Sequence, residues 1–114
     1  GFILLGPSTE EVLVRAIGSS LPLVGKLADP TLELFDDNGV RLASNDDWRD
    51  TQEADITATG LAPSNDSESA ILKTLPPSLY TAVVRGATGT TGVALVEVYN
   101  LGPRTVARSQ TERK

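Results

Sequence analysis

The fold is decided by the stretch Leu79-Tyr80-Thr81-Ala82-Val83-Val84-Arg85 and by the run Val93-Ala94-Leu95-Val96-Glu97-Val98-Tyr99 that follows it. Both runs are rich in the β-branched and aromatic residues that favour strands. Residues 86–92 between them consist of glycine, threonine and one alanine, a composition typical of a turn. The pattern predicts a β-hairpin, and its apolar face requires a second sheet to cover it.

Five further segments have strand character: residues 1–5, 12–17, 31–35, 40–44 and 68–75. The simplest interpretation joins the first two by a turn. The third and fourth flank Asp36-Asp37-Asn38-Gly39, a strong hairpin turn signal. Asp50, followed three residues later by Glu53, has the form of a helix N-cap and its capping partner, which predicts a short helix over residues 51–59.

These elements predict an all-β protein, an antiparallel β-sandwich with seven or eight strands and at most one short helix. A chain of 114 residues suits one domain. We expect the sandwich module to occupy residues 1–101. Residues 102–114, which are basic and lack a dense apolar run, form a C-terminal tail.

Composition restricts the function. The chain has no cysteine, histidine or methionine, which excludes disulfides, thiol nucleophiles, histidine bases and Cys/His zinc sites, so we expect no enzyme. A net charge of -5 argues against a nucleic-acid partner, which needs a basic face. Every apolar run falls far short of the roughly 20 residues of a membrane span.

Two charged residues lie inside otherwise apolar strands. Arg15 and Glu97 each share a face with apolar residues two positions away. Either they form a structural ion pair between buried faces, because an unpaired buried charge is costly, or both point to solvent. A third alternative places them at an interface between associated copies.

Acidic loops provide candidate metal ligands. Asp46, Asp47 and Glu68 supply the hard oxygen atoms that calcium prefers, without the spacing of an EF-hand. The alternative is ordinary loop capping through Asx-turns. Calcium is therefore a possible cofactor, and no other cofactor is indicated.

Trp48 lies in the same polar loop as these aspartates. It is a candidate for ligand stacking, for example on a sugar, because tryptophan combines an apolar body with a polar edge. The alternative is that the ring closes one end of the sandwich core.

Several short motifs follow one another along the chain: Asp29-Pro30-Thr31-Leu32-Glu33-Leu34-Phe35-Asp36, Asn38-Gly39, Ala43-Ser44-Asn45-Asp46-Asp47-Trp48, Gly60-Leu61-Ala62-Pro63, Glu68-Ser69-Ala70-Ile71, Pro76-Pro77 with Tyr80-Thr81-Ala82, and Gly92-Val93-Ala94-Leu95-Val96-Glu97-Val98-Tyr99. In this order they resemble a module repeated in large secreted bacterial surface proteins. More distantly, the chain is similar to the bacterial pre-peptidase C-terminal domain, a jelly-roll-like β-sandwich. The resemblance, over residues 1–101, implies a non-catalytic bacterial module, extracellular or on the cell surface, in tandem arrays.

The resemblance also concerns the tail. In the family, a strand with a Ser-Thr-Arg-Gly motif precedes the segment that corresponds to Gly1-Phe2-Ile3, whereas a similar run here is Ser109-Gln110-Thr111-Glu112-Arg113. Our hypothesis is that the tail supplies this strand to a neighbouring copy. The alternatives are a linker to the next module or a tail that folds back on its own sheet.

The expected function is therefore self-association with identical or tandem modules, end to end, in a fibre, an array or an adhesive surface protein. The expected contact residues are Phe2, Ile3, Leu4 and Leu5 at the N-terminus, and Thr105, Val106, Thr111 and Arg113 in the tail. Two alternatives remain: an accessory domain that binds calcium or carbohydrate beside a secreted enzyme, and a sorting propeptide.

Overall fold

A computed structural model describes residues 1–103. It contains seven strands and one short α-helix, together with a 3-10 turn at Ala87–Gly89. The elements are β1 (Phe2–Leu4), β2 (Glu10–Ile17), β3 (Pro30–Phe35), β4 (Arg41–Asn45), α1 (Glu53–Ala58), β5 (Ser69–Leu75), β6 (Ser78–Gly86) and β7 (Leu95–Asn100). Within the described residues, no helix is long and apolar enough to cross a membrane.

The strands form two antiparallel sheets with the orders β1-β6-β3-β4 and β5-β2-β7. The main core lies between them, with Leu32 and Leu34 from one sheet and Val12, Val14 and Ala16 from the other. This arrangement confirms the predicted all-β, sandwich-like fold.

The predicted hairpin around Asp36-Asp37-Asn38-Gly39 is confirmed, because β3 and β4 pair antiparallel on either side of it. A carboxylate oxygen of Asp36 accepts the N–H groups of Asn38 and Val40, each at 2.9 Å. Gly39 has a φ of +79°, which residues with a Cβ adopt at a cost. Turn chemistry alone thus fixes this hairpin.

The predicted central hairpin is wrong. Strand β6 pairs with β1 and β3, whereas β7 pairs with β2 in the other sheet. The connection between them crosses the sandwich and is held by backbone hydrogen bonds of 2.8 Å from Leu27 N–H to Val93 O and from Val93 N–H to Gly25 O. Strands β1 and β2 also lie in different sheets, so the turn predicted between residues 5 and 12 makes no hairpin either.

Helix α1 covers the outer face of the β5-β2-β7 sheet. Ile56 of the helix forms a second apolar cluster with Leu13, Trp48 and Ala70. The helix is shorter than predicted, and its N-cap residue is Gln52, which makes no capping hydrogen bond. The capping role that the sequence assigned to Asp50 is therefore wrong.

The two sheets overlap unevenly. Strand β5 packs over β3 and β4, and β2 packs over β3, so the strand orders place β7 on the side of β6 and β1. Strand β7 nevertheless has extensive contacts with β2 alone among the seven strands. One side of the sandwich, bounded by β7 and β1, is consequently incompletely covered.

Candidate assembly edge and acidic cluster

The free edge of β5 is closed by side chains of the segment that precedes it. The amide of Gln52 donates to Leu72 O at 2.8 Å and accepts from Leu72 N–H at 3.0 Å, which copies the pairing of a neighbouring strand. The carboxamide oxygen of Asn45 accepts the Ala70 N–H at 3.0 Å. Unpaired edges are sites of uncontrolled association, and these contacts remove that hazard at β5.

The free edge of β7 has no comparable cover. Among residues 1–103, no side chain forms a hydrogen bond with the backbone of residues 95–99. Val96 and Val98 lie on the core side of the sheet yet are 42% and 39% exposed, whereas their register partners Ala16 and Val14 are 0% and 1% exposed. We use the term open edge for the outer edge of β7 together with the core-facing side chains of Val96 and Val98.

The N-terminal strand only partly matches its predicted role. Leu4 is buried in the main core, and Phe2 stacks on Tyr80 with ring centroids 5.5 Å apart. Only Ile3 and Leu5 are strongly exposed. Leu4 is therefore a core residue, which corrects its assignment as a contact residue. The tail residues assigned to assembly, Thr105, Val106, Thr111 and Arg113, lie outside the described residues.

Arg15 and Glu97 form an ion pair on the outer face of the β5-β2-β7 sheet. The Arg15 Nε–H donates to Glu97 Oε1 at 2.8 Å, and Nη2 donates to the same oxygen. The guanidinium also donates to Leu61 O at 2.9 Å and to the Tyr99 hydroxyl at 3.1 Å. With side chains 18% and 26% exposed, the pair is neither fully buried nor free in solvent. It anchors β7 to β2.

We expect Glu97→Gln to lower the free energy of unfolding by about 1–2 kcal/mol, between the values for exposed and fully buried pairs. The reason is that Arg15 keeps its other contacts and stays partly desolvated without its carboxylate. Urea denaturation measures the loss. Glu33→Gln is the control, since its partners Arg41 and Arg85 are largely exposed, and it should cost about 0.5 kcal/mol or less. Equal losses for the two variants would contradict a special role for the Arg15 pair.

Three carboxylates meet at one end of the sandwich. Asp29 lies directly before β3, and Asp46 and Asp47 follow β4, so the hairpin brings them together. One oxygen from each lies within 4.8 Å of the others. The Oδ1 atom of Asp29 is buried and has no hydrogen-bond partner among the described residues. The three carboxylates therefore concentrate negative charge around a hydrogen-bond acceptor that has no donor among the described residues.

This crowding affects proton binding. Burial, and then the negative charge of Asp29, raises the pKa of Asp46 above its ordinary value. Burial, and then the charge of Asp46, raises the pKa of Asp47. A cation at this point would relieve the repulsion.

Glu68 is not part of this cluster. It is completely buried, and its Oε2 accepts the N–H of Gly18 at 2.9 Å together with the N–H and the hydroxyl of Ser20 at 2.9 and 2.6 Å. Its Oε1 accepts the Asn65 N–H at 3.2 Å. Glu68 therefore holds the loop after β2, and its proposed role as a calcium ligand is corrected. Asp29, which replaces it in the cluster, is 17 residues from Asp46 in sequence, and no local pattern linked them.

We predict that Glu68→Gln destabilises the fold by about 2–4 kcal/mol, because an amide NH₂ would face donors and leave buried N–H groups unsatisfied. Chemical denaturation followed by Trp48 fluorescence measures this change. Glu53→Gln is a matched control on the exposed Arg49 pair and should change stability by less than about 0.5 kcal/mol. A loss at Glu68 no larger than at Glu53 would show that the loop does not depend on the carboxylate.

Trp48 is unavailable for ligand stacking. It is 3% exposed, packs with Leu13 and Ile56, and carries the Arg49 guanidinium 4.3 Å from its ring centroid. The interpretation as a ligand-stacking residue is therefore wrong, and the ring closes the outer apolar cluster instead.

Comparisons of this chain with family models, with curated proteins and with solved structures each returned no match.

Proposed function

We propose that this chain is a non-catalytic structural module that associates with further copies of itself through exposed sheet edges. The observation that carries the proposal is the open edge. The protein covers its β5 edge with two side chains, whereas among residues 1–103 no strand pairs with the outer edge of β7, which lies beside partly exposed valines. A strand from another molecule would satisfy both the backbone groups and the apolar side chains.

The biological setting of this proposal rests on the resemblance to repeated modules of secreted bacterial surface proteins. In this proposal the module acts outside the bacterial cell, in a fibre, an array or an adhesive surface protein. In such a setting the module works mechanically, since main-chain hydrogen bonds and apolar burial hold neighbouring copies together.

The oligomeric state tests this function. Light scattering should show long or polydisperse species for the full chain and a monomer for a chain that ends at Gly102, because the truncation removes the donated strand. A chain in which a glycine-serine segment of equal length replaces the tail controls for simple chain length and should also be monomeric. If the full chain and the truncated chain are both monomers at all accessible concentrations, the assembly function is refuted.

A second candidate function is the binding of a divalent cation such as calcium. It is favoured by the convergence of Asp29, Asp46 and Asp47 and by the buried, unpartnered oxygen of Asp29. Carboxylates gathered from separate loops are common calcium ligands. The carbohydrate alternative has no such support, since Trp48 is buried.

We expect calcium to raise the melting temperature of the parent chain, and Asp29→Asn to abolish this rise. Asp37→Asn, an exposed aspartate of the β3–β4 turn, should keep it. A rise that persists in the Asp29 variant would exclude this cluster as the site, and the absence of any rise in the parent would exclude calcium binding.

In the absence of calcium, the raised pKa of Asp46 predicts the direction in which the stability of the fold changes with pH. Because the pKa of Asp46 is raised on folding, the folded chain binds the proton of this carboxyl more tightly than the unfolded chain does. The folded chain therefore loses stability as the pH rises above the ordinary pKa of 3.8 and Asp46 ionises. Asp46→Asn should therefore gain stability relative to the parent as the pH rises through this range. Melting curves from acid to neutral pH test this, and a constant difference would contradict it.

A further inference from the structure

The open edge sets the chemistry of whatever covers it. Within residues 1–103, β7 pairs along one edge only, so the N–H and C=O groups of its other edge call for an extended backbone as the occupant. On the core side, Val96 and Val98 are partly exposed, and Phe2, Ala82 and Val84 of the opposite sheet are only partly buried. On the outer side lie Glu97 and Tyr99. The occupant therefore needs an uncharged core-facing side and can carry charge on its outer side.

The tail has this alternation in its sequence. Thr105, Ala107, Ser109 and Thr111 are uncharged and fall on one side of an extended strand. The other side takes the intervening residues, Val106, Arg108, Gln110 and Glu112. If the uncharged side faces Val96 and Val98, the Arg108 side falls on the same face of the sheet as Glu97.

Length and charge also fit. Eleven residues follow Pro103, whereas β7 has six, so the tail is long enough to pair along all of β7. The tail contains four basic residues and one acidic residue, a net charge of +3. Since the whole chain has a net charge of -5, residues 1–103 have a net charge of -8. The tail is thus attracted to the body of any copy of this chain.

Proline favours a neighbour's tail over the chain's own tail. Gly102 has a positive φ of +89°, but its carbonyl accepts the Glu11 N–H and the Leu101 N–H donates to Glu11 O, so a reversal onto β7 that keeps these bonds begins after Gly102. The next residue, Pro103, is fixed near φ = -65° and cannot take the positive φ that tight two-residue hairpins need at their first position. A wider loop would use up residues 105–107, the first part of the alternating segment. A strand donated by another copy has neither constraint.

We propose that the open edge accepts residues 105–112 of a neighbouring copy as a fourth strand of the β5-β2-β7 sheet. The core-facing residues of this strand are Thr105, Ala107, Ser109 and Thr111. This inference rests on the proposed assembly function and specifies its contact: the acceptor is β7, and the donor is the tail.

Engineered cysteines test the contact, because the chain has no cysteine of its own. One preparation carries Val98→Cys and another carries Ser109→Cys. After mixing under oxidising conditions, we expect a disulfide-linked heterodimer, measured by mass spectrometry and non-reducing electrophoresis. Leu79→Cys is the matched control, since Leu79 is 52% exposed in β6. Its yield with Ser109→Cys should be several-fold lower.

The possible outcomes test three statements separately: that β7 is the acceptor, that the donor is a neighbouring copy, and that the chain assembles. A yield for Val98→Cys no higher than for Leu79→Cys overturns β7 as the acceptor. A chain carrying both Val98→Cys and Ser109→Cys that closes its disulfide within one molecule at high dilution overturns donation by a neighbour. If light scattering shows that the cysteine chains assemble, yet oxidation forms no more Val98–Ser109 disulfide than the Leu79 control, this inference fails and the proposed function stands. If neither assembly nor bond is observed, both fail.

Discussion

Strand β2 is buried on both faces, and this constraint governs the rest of the molecule. Val12, Val14 and Ala16 face the opposite sheet, while Leu13 and Arg15 face the outer cluster and the ion pair. A strand buried on both faces needs a partner on each edge and cover on each side. Strand β5 and helix α1 supply much of this cover. Strand β7 supplies the other edge, but the four-stranded sheet does not extend fully over it.

The two outer strands of the β5-β2-β7 sheet therefore differ in whether their outer edge is covered by side chains. At β5, Gln52 and Asn45 act as substitutes for a neighbouring strand. At β7, the Arg15–Glu97 pair holds the strand firmly to β2, so the strand is ordered while its far edge remains available. A strand that accepts another strand should be held firmly along one edge and be accessible along the other. If β7 were frayed, binding would have to order it first, which would cost free energy.

The sequence predicted the local features well. The Asp36–Gly39 turn specified its own hairpin, alternation located β3, and the run over residues 68–75 and the capping pattern located β5 and the short helix to within a few residues. The class of fold followed from the number of short apolar runs. The pairing partners of the strands did not follow, because the apolar pattern of β6 or β7 suits either sheet and an eight-residue connection can close a hairpin or cross the sandwich.

The roles of individual charged and aromatic residues show the same limit. Glu68 and Asp46 look equivalent in sequence, yet donors from the loop after β2 occupy Glu68, whereas Asp46 faces Asp29. The sequence placed Trp48 in a polar loop, and only the packing of α1 over β2 showed that it is buried. Such roles depend on residues that are distant in sequence. The open edge was likewise missed, since local pattern does not reveal that Val96 lacks cover.

Amide hydrogen exchange along β7 tests the central claim most directly. Those β7 amides that do not bond to β2 should exchange slowly in the full chain at high concentration and rapidly in a chain that ends at Gly102. The amides of β5, whose edge is already closed, should exchange alike in both chains. Equal and rapid exchange of the free β7 amides in both chains would show that nothing pairs with this edge, and would contradict the account.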